Sequence, residues 1–275
     1  MGEMGDFEES GPDAPEAMRP RGDGALRGRG LGALRRRGIY LLPNLFTTGV
    51  LFCGFFAIVQ GMNGRFDIAA IAIYVALVLD GMDGRVARWT NTQSEFGAQY
   101  DSIADMVAFG AAPALVAYTW VLKDLGTAGW IGAFIYCAAT GIRLARFNTN
   151  IGVVDKRYFQ GLPCPAGAAV LSGLLWVLVD FGLKPDQWYV IAGVTWIAAV
   201  FIGMTMVSNL PFYSFKEVNW KQRVPLWVIL VAVVGLSIVA SRPSLVLFVL
   251  FFAYSLSGYV MWTMGHRGRP VLPEE

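Results

Sequence analysis

Four aspartates between residues 80 and 105 are the side chains of this sequence best suited to chemistry. They stand in Asp80-Gly81-Met82-Asp83-Gly84-Arg85-Val86-Ala87-Arg88, followed by Gly97, Asp101 and Asp105, with largely apolar sequence on both sides. On a helix each residue advances about 100°. Asp80 and Asp83 therefore share a face, with Gly84, Ala87 and Arg88 on the same broad stripe. Asp101 and Asp105 lie one turn apart, with Gly97 a further turn back. The spacing predicts two helices, each presenting two acids on one side, joined by a polar turn from Asn91 to Ser94.

One carboxylate at the centre of a membrane helix costs about 2.5–3.5 kcal/mol on insertion scales, and clustering raises the cost. Divalent cations are the simplest way to neutralise four of them. Ligands that are all oxygen suit a hard ion such as Mg or Mn rather than zinc. Such an ion keeps room for phosphate oxygens, so an acidic site beside an arginine points to a phosphorylated substrate. The plainer alternative is an ion-pair cluster in which Arg85, Arg88 and Arg143 neutralise the acids and glue the helices together. That alternative gives no purpose to Gly84 and Ala87, which clear space beside the backbone, and ionisable residues inside a membrane usually mark function.

The elements that must hold these acids are legible in composition and hydropathy. Of 275 residues, 55% are hydrophobic and only 15% charged, with a mean hydropathy of +0.50. A soluble domain carries about a quarter charged residues, so an ordinary soluble protein is excluded. Eight apolar segments, at 41–62, 66–89, 97–122, 126–148, 163–182, 186–207, 224–240 and 243–264, are each close to the roughly 20 residues that span a bilayer. The fold class is all-α, a polytopic integral membrane protein, with Pro113 expected to bend the third span. Trp120, Trp130, Trp188, Trp220 and Trp262 near span ends read as interface anchors. Cys53, Cys137 and Cys164 show no metal spacing and read as small core residues.

Three regions follow from the pattern. Residues 1–36, acidic and then basic and rich in Pro and Gly, read as a disordered tail whose arginines meet anionic headgroups. Residues 37–265 form the transmembrane domain, and 266–275, with His266 at its start, a short solvated tail. Arg143, Arg146, Lys156, Arg157, Lys216, Lys221, Arg223, Arg267 and Arg269 fall on one side of the membrane, whereas Arg65, Lys123, Lys184 and Arg242 stand singly on the other. The positive-inside rule then puts both termini and the acidic motif on the cytoplasmic side of the inner membrane. Nothing in the sequence points to nucleic acid as a partner, and no inverted repeat of the transporter kind is present. An ion-coupled transporter would also use buried acids, but the Asp-Gly and Ala-Arg spacing has no evident purpose there.

The spacing D-x2-D-G-x2-A-R-x8-G-x3-D-x3-D resembles the signature of the CDP-alcohol phosphatidyltransferases. Asp80, Asp83, Gly84, Ala87, Arg88, Gly97, Asp101 and Asp105 fill every fixed position. The segments Pro43-Asn44-Leu45-Phe46-Thr47, Arg143-Leu144-Ala145-Arg146-Phe147-Asn148 and Phe159-Gln160-Gly161-Leu162-Pro163-Cys164-Pro165 extend the likeness toward the branch of that family whose acceptor is serine, over roughly residues 40 to 215. The resemblance implies transfer of the phosphatidyl group of CDP-diacylglycerol to the hydroxyl of L-serine with release of CMP. Glycerol phosphate or inositol phosphate is the alternative acceptor. It implies two divalent cations, Mg or Mn, held by Asp80, Asp83, Asp101 and Asp105. Asp80 and Asp101 would bridge both ions, and Asp105 would also act as general base. It implies that Gly84 and Arg88 hold the cytidine diphosphate part of CDP-diacylglycerol, with Asn44, Thr47, Asp80, Ala87, Ser94 and Gly97 beside it. Asn44 or Thr47 has the open alternative of a plain helix cap. The acyl chains would lie among membrane lipids. Serine is a zwitterion, and Arg143 and Arg146, with Asn148 and Gln160 near in sequence, offer a cationic fork for its carboxylate; anchoring at a span end is the alternative for these arginines. A homodimer is also implied.

Overall fold

A computed structural model describes residues 44–90, 94–149, 158–183, 189–213 and 226–264 of the chain. The expected N-terminal tail, the tail with His266, Trp188, Trp220 and the basic residues at 156–157 and 216–223 lie outside the described residues.

Each apolar segment is helical over most of its described residues. The helices are α1 (Asn44–Met62), α2 (Phe66–Thr90), α3 (Glu95–Asp105), α4 (Ala112–Trp120), α5 (Thr127–Thr149), α6 (Cys164–Asp180), α7 (Tyr189–Val207), α8 (Leu226–Ser241) and α9 (Pro243–Thr263). The third expected span is α3 and α4 joined by one wider π turn, Met106–Ala111. Five of these spans, α1, α3–α4, α5, α7 and α9, are long and apolar enough to cross a bilayer among the described residues. The α2 helix has 25 residues, but its end carries Asp80, Asp83, Arg85 and Arg88; α6 has 17 and α8 has 16 residues. The protein is an all-α integral membrane protein.

Pro113 lies in the first turn of α4, and the helix meets it by widening into the π turn just before it. The Ala112 N–H reaches back five residues to Val107 O. Proline has no N–H for the carbonyl four residues before it, that of Phe109. The hydroxyl of the fully buried Tyr136 on α5 donates to that carbonyl at 3.0 Å.

The core is built around α6, which packs against α2, α9, α7 and α4, while α5 packs chiefly on α7. Small residues on α6 (Ala166, Gly167, Ala168, Ala169) let these backbones approach. Trp120 corrects an expectation. It is 3% exposed and packs edge-on against Phe66, so it fills the core at the end of α4 instead of anchoring an interface. Trp130 and Trp262 are half exposed, as anchors would be. The three cysteines are free, with Cys164 buried.

Among the described residues, a short strand ribbon stands at the end of the bundle. Strand β1 (Tyr158–Gln160) pairs antiparallel with β2 (Pro211–Tyr213), Phe159 opposite Phe212. Gly161 follows with φ 77°. Its N–H donates to Leu210 O at 2.9 Å, and a side chain there would strike the Met206 and Ser208 carbonyls. Behind the ribbon, buried Phe212 seats against Gly258 and Tyr254 of α9.

Candidate active site

The two acidic pairs meet. From α2 comes Asp80 and from α3 come Asp101 and Asp105, and one carboxylate oxygen of each lies within 4.8 Å of the others. Asp83, one turn on from Asp80, is 5% exposed and accepts a hydrogen bond from Thr47 Oγ1 at 3.3 Å. Thr47 is therefore no helix cap. It sits inside α1 and fixes one acid of the site. Asp83 remains within electrostatic reach of Asp80 and Asp101.

The start of α3 is held from two sides. Ser94 has extended backbone and caps the helix, its Oγ accepting from Gly97 N at 3.0 Å. On either side of Asp101, Tyr100 OH pairs with Thr48 Oγ1 of α1 at 3.0 Å, and Ser102 Oγ accepts from Asn148 Nδ2 of α5 at 2.9 Å. Gly97 faces Asn44: a Cβ built on it would stand 3.1 Å from Ser94 Oγ and 3.7 Å from Asn44 Oδ1. Glycine here lets the first turns of α1 and α3 lie side by side. Gly84, by contrast, has open space where a side chain would stand. Ala87 and Arg88 belong to the last turns of α2, and their side chains lie outside the described residues.

The two arginines of α5 part company. Arg146 Nη1 donates to Val207 O at 3.0 Å, and its Nη2 to Gln160 Oε1 at 2.5 Å and Asn209 Oδ1 at 2.6 Å. It joins the end of α7 to the ribbon. Arg143 is 9% exposed, and its Nη1 meets Cys164 Sγ at 3.4 Å. Its charge bears on Asp105. Yet Arg143 Nε and Asp105 Oδ1 are both buried and both without a hydrogen-bond partner. An ion pair that merely glued helices would have satisfied both.

The acids fit a hard divalent cation. The donors are all oxygen, three of them converge, and a buried carboxylate oxygen of Asp105 is unpartnered. Sequence reasoning did not single out Thr48, Tyr100, Ser102 or Asn209. Thr48 and Ser102 carried a weak signal as hydroxyls adjacent to motif residues; Asn209 carried none.

Comparison with known proteins decides the family. Residues 40–207 match the sequence profile described as CDP-alcohol phosphatidyltransferase. The chain belongs to the CDP-alcohol phosphatidyltransferase family. Similar curated proteins are named CDP-diacylglycerol–serine O-phosphatidyltransferase. That of Helicobacter pylori (strain ATCC 700392 / 26695) is 37% identical over 228 residues, 82% of this chain and 92% of its own. That of Mycobacterium leprae is 30% identical over 225 residues, covering 78% and 72%. That of Bacillus subtilis is 31% identical over 176 residues, covering 64% and 92%. This family of phosphotransferases depends in general on divalent metal ions, in keeping with the acidic cluster. In this CDP-alcohol phosphatidyltransferase the matched region stops at the end of α7, so β2 and the helix behind it lie beyond the profile.

Proposed function

We propose that the protein transfers the phosphatidyl group of CDP-diacylglycerol to the hydroxyl of L-serine and releases CMP. The observation that carries this reading is the meeting of Asp80, Asp101 and Asp105 with an unpartnered buried oxygen on Asp105. The shared name of the relatives supports serine as the acceptor.

Asp80, Asp83, Asp101 and Asp105 would hold two divalent ions, Mg or Mn. Bound there, the ions would offset the charge of the diphosphate and of the departing phosphate. Gly84 would admit the nucleotide lipid to the backbone, and Arg88 would grip a phosphate from the end of α2. Ala87, Ser94, Gly97, Asn44 and Thr47 border the same end of α1, α2 and α3. Asp105 would take the proton of the serine hydroxyl as its oxygen bonds to the lipid-bearing phosphorus. The bond from that phosphorus to CMP breaks, and phosphatidylserine stays in the bilayer. The serine end would be drawn from Arg143, Arg146, Asn148 and Gln160. The acyl chains would remain among membrane lipids, with the site and both termini on the cytoplasmic side of the inner membrane and the transmembrane domain, residues 37–265, assembled as a homodimer.

The test is CMP release by purified protein from labelled CDP-diacylglycerol with serine, glycerol phosphate or inositol phosphate. Release is expected with serine alone, to cease on chelation and to return with Mg or Mn. Loss of a general base costs about 10²–10⁴-fold, so Asp105→Asn should all but stop turnover while CDP-diacylglycerol still binds. No release with serine would remove the acceptor assignment, and unchanged turnover in Asp105→Asn would move the base elsewhere.

A further inference from the structure

We propose that α1 is a strut that fixes the gap between the two acid-bearing helices, and that the bond between Thr48 and Tyr100 makes that gap selective for a small divalent ion over a large one. This deepens, and rests on, the proposed seating of divalent ions among the four aspartates. The helices α2 and α3 bring Asp80, Asp101 and Asp105 together, yet they pack little against each other directly. Neighbouring carboxylates repel, so the gap must be held from outside the acids.

The strut lies against both helices. On the α2 side, a Cβ on Gly49 would stand 3.2 Å from Leu79 Cδ1, and Thr47 donates to Asp83 at 3.3 Å. On the other side, a Cβ on Gly54 would stand 2.6 Å from Ala108 Cα, and one on Gly61 3.1 Å from Val116 Cγ2. At the site end, the link from α1 to α3 is a hydrogen bond, Thr48 Oγ1 to Tyr100 OH at 3.0 Å. Its direction follows from the proton count. A threonine hydroxyl has one proton, and that of Thr48 goes to Asn44 O at 2.7 Å. Tyr100 is therefore the donor and Thr48 the acceptor. Phe96, one turn earlier, stacks on the Tyr100 ring with centroids 6.0 Å apart and planes 14° apart, which limits the swing of the phenol. Thr47 and Thr48 are adjacent, so one peptide unit of α1 joins Asp83 on α2 to the α3 turn that carries Asp101. Mg takes ligands at about 2.0–2.1 Å in near-ideal octahedral geometry, whereas Ca takes them at about 2.3–2.6 Å in flexible geometry. Selectivity between them depends on how firmly a cavity keeps its size. With the clasp open, α3 can shift away from α2 and the gap can widen around the larger ion. Thr48 and Tyr100 are positioning residues.

The experiment measures Mg and Ca binding to purified full-length protein by titration calorimetry, with CDP-diacylglycerol present, serine omitted and a protein-free blank subtracted. Wild type should prefer Mg. Lost support of metal ligands typically costs 10–100-fold in affinity, so Thr48→Val and Tyr100→Phe should each lower the ratio of Mg to Ca affinity by about tenfold. The double variant should fall no further, because both changes remove one bond. Thr48→Ser, which keeps the acceptor, should retain the ratio. Tyr259→Phe removes a like pair, Tyr259 OH with Thr205 Oγ1 at 2.6 Å between α9 and α7. It should lower the midpoint of thermal unfolding and leave the ratio alone. An unchanged ratio in either single variant, additive losses in the double, or an equal loss in Tyr259→Phe overturns the assignment. So does wild type that binds Ca as tightly as Mg. Should one single variant not fold, the other decides. Wild type that binds neither ion overturns the metal site itself, a separate and recognisable result.

Discussion

At the scale of single residues, the site is held by hydroxyls and amides as much as by its acids. Thr47 Oγ1 fixes one oxygen of Asp83, and the bonds of Tyr100 and Ser102 bracket Asp101. Partners of this kind orient a carboxylate toward a cation, and their loss typically costs 10–100-fold in metal affinity. Thr47→Val keeps the shape of the side chain and removes the donor. It should weaken the Mn dependence of CMP release by about tenfold, measured as the concentration for half-maximal activity, while thermal unfolding shifts little. The four aspartates were legible from spacing because a helix turns the same angle whatever surrounds it. The divergence of Arg143 and Arg146 was not. Three residues apart, they read as one fork, and only the placement of Gln160 and Asn209 beside Arg146 separates them.

At the scale of elements, the π turn is the feature that sets the aim of Asp105. It begins at Met106, directly after the aspartate, and ends just before α4 and its Pro113. Nearby, a Cβ on Gly54 would come 2.6 Å from Ala108 Cα, so α1 crosses the widened turn at backbone distance. The Tyr136 hydroxyl supplies the donor that Pro113 lacks. Tyr136→Phe should leave the Phe109 carbonyl without that bond. A buried polar group so deprived costs about 1–3 kcal/mol, which should appear as a lower midpoint of thermal unfolding in detergent, with activity falling alongside it. Hydropathy located the spans because a bilayer demands long apolar runs. It could not locate the π turn, whose cause is one proline and a tyrosine 23 positions later. Nor could it locate the strands. Each has only three residues, too few for an alternating pattern, and the partner strand lies on the far side of two helices.

At the scale of the whole molecule, residues distant in sequence gather at one end of the bundle. Contacts join Thr47 to Asp83, Asn148 to Ser102, Arg143 to Cys164 and Arg146 to Val207, so the starts of α1 and α6 and the later turns of α3 stand beside the ends of α2, α5 and α7. Composition announced a membrane bundle, and the acidic spacing announced which helices carry the acids. Neither shows that α9 backs the ribbon by way of Phe212 and Gly258. That last contact dictates a schedule. A ribosome delivers the acidic helices well before α9, so a part-made chain owns all four site aspartates yet no firm wall behind Gln160 and Asn209. Protein truncated after Ser241 should accordingly be silent in the CMP assay, and supplying residues 242–275 as a separate polypeptide should revive it. Nascent enzyme would then leave cellular nucleotide lipid untouched until α9 has docked.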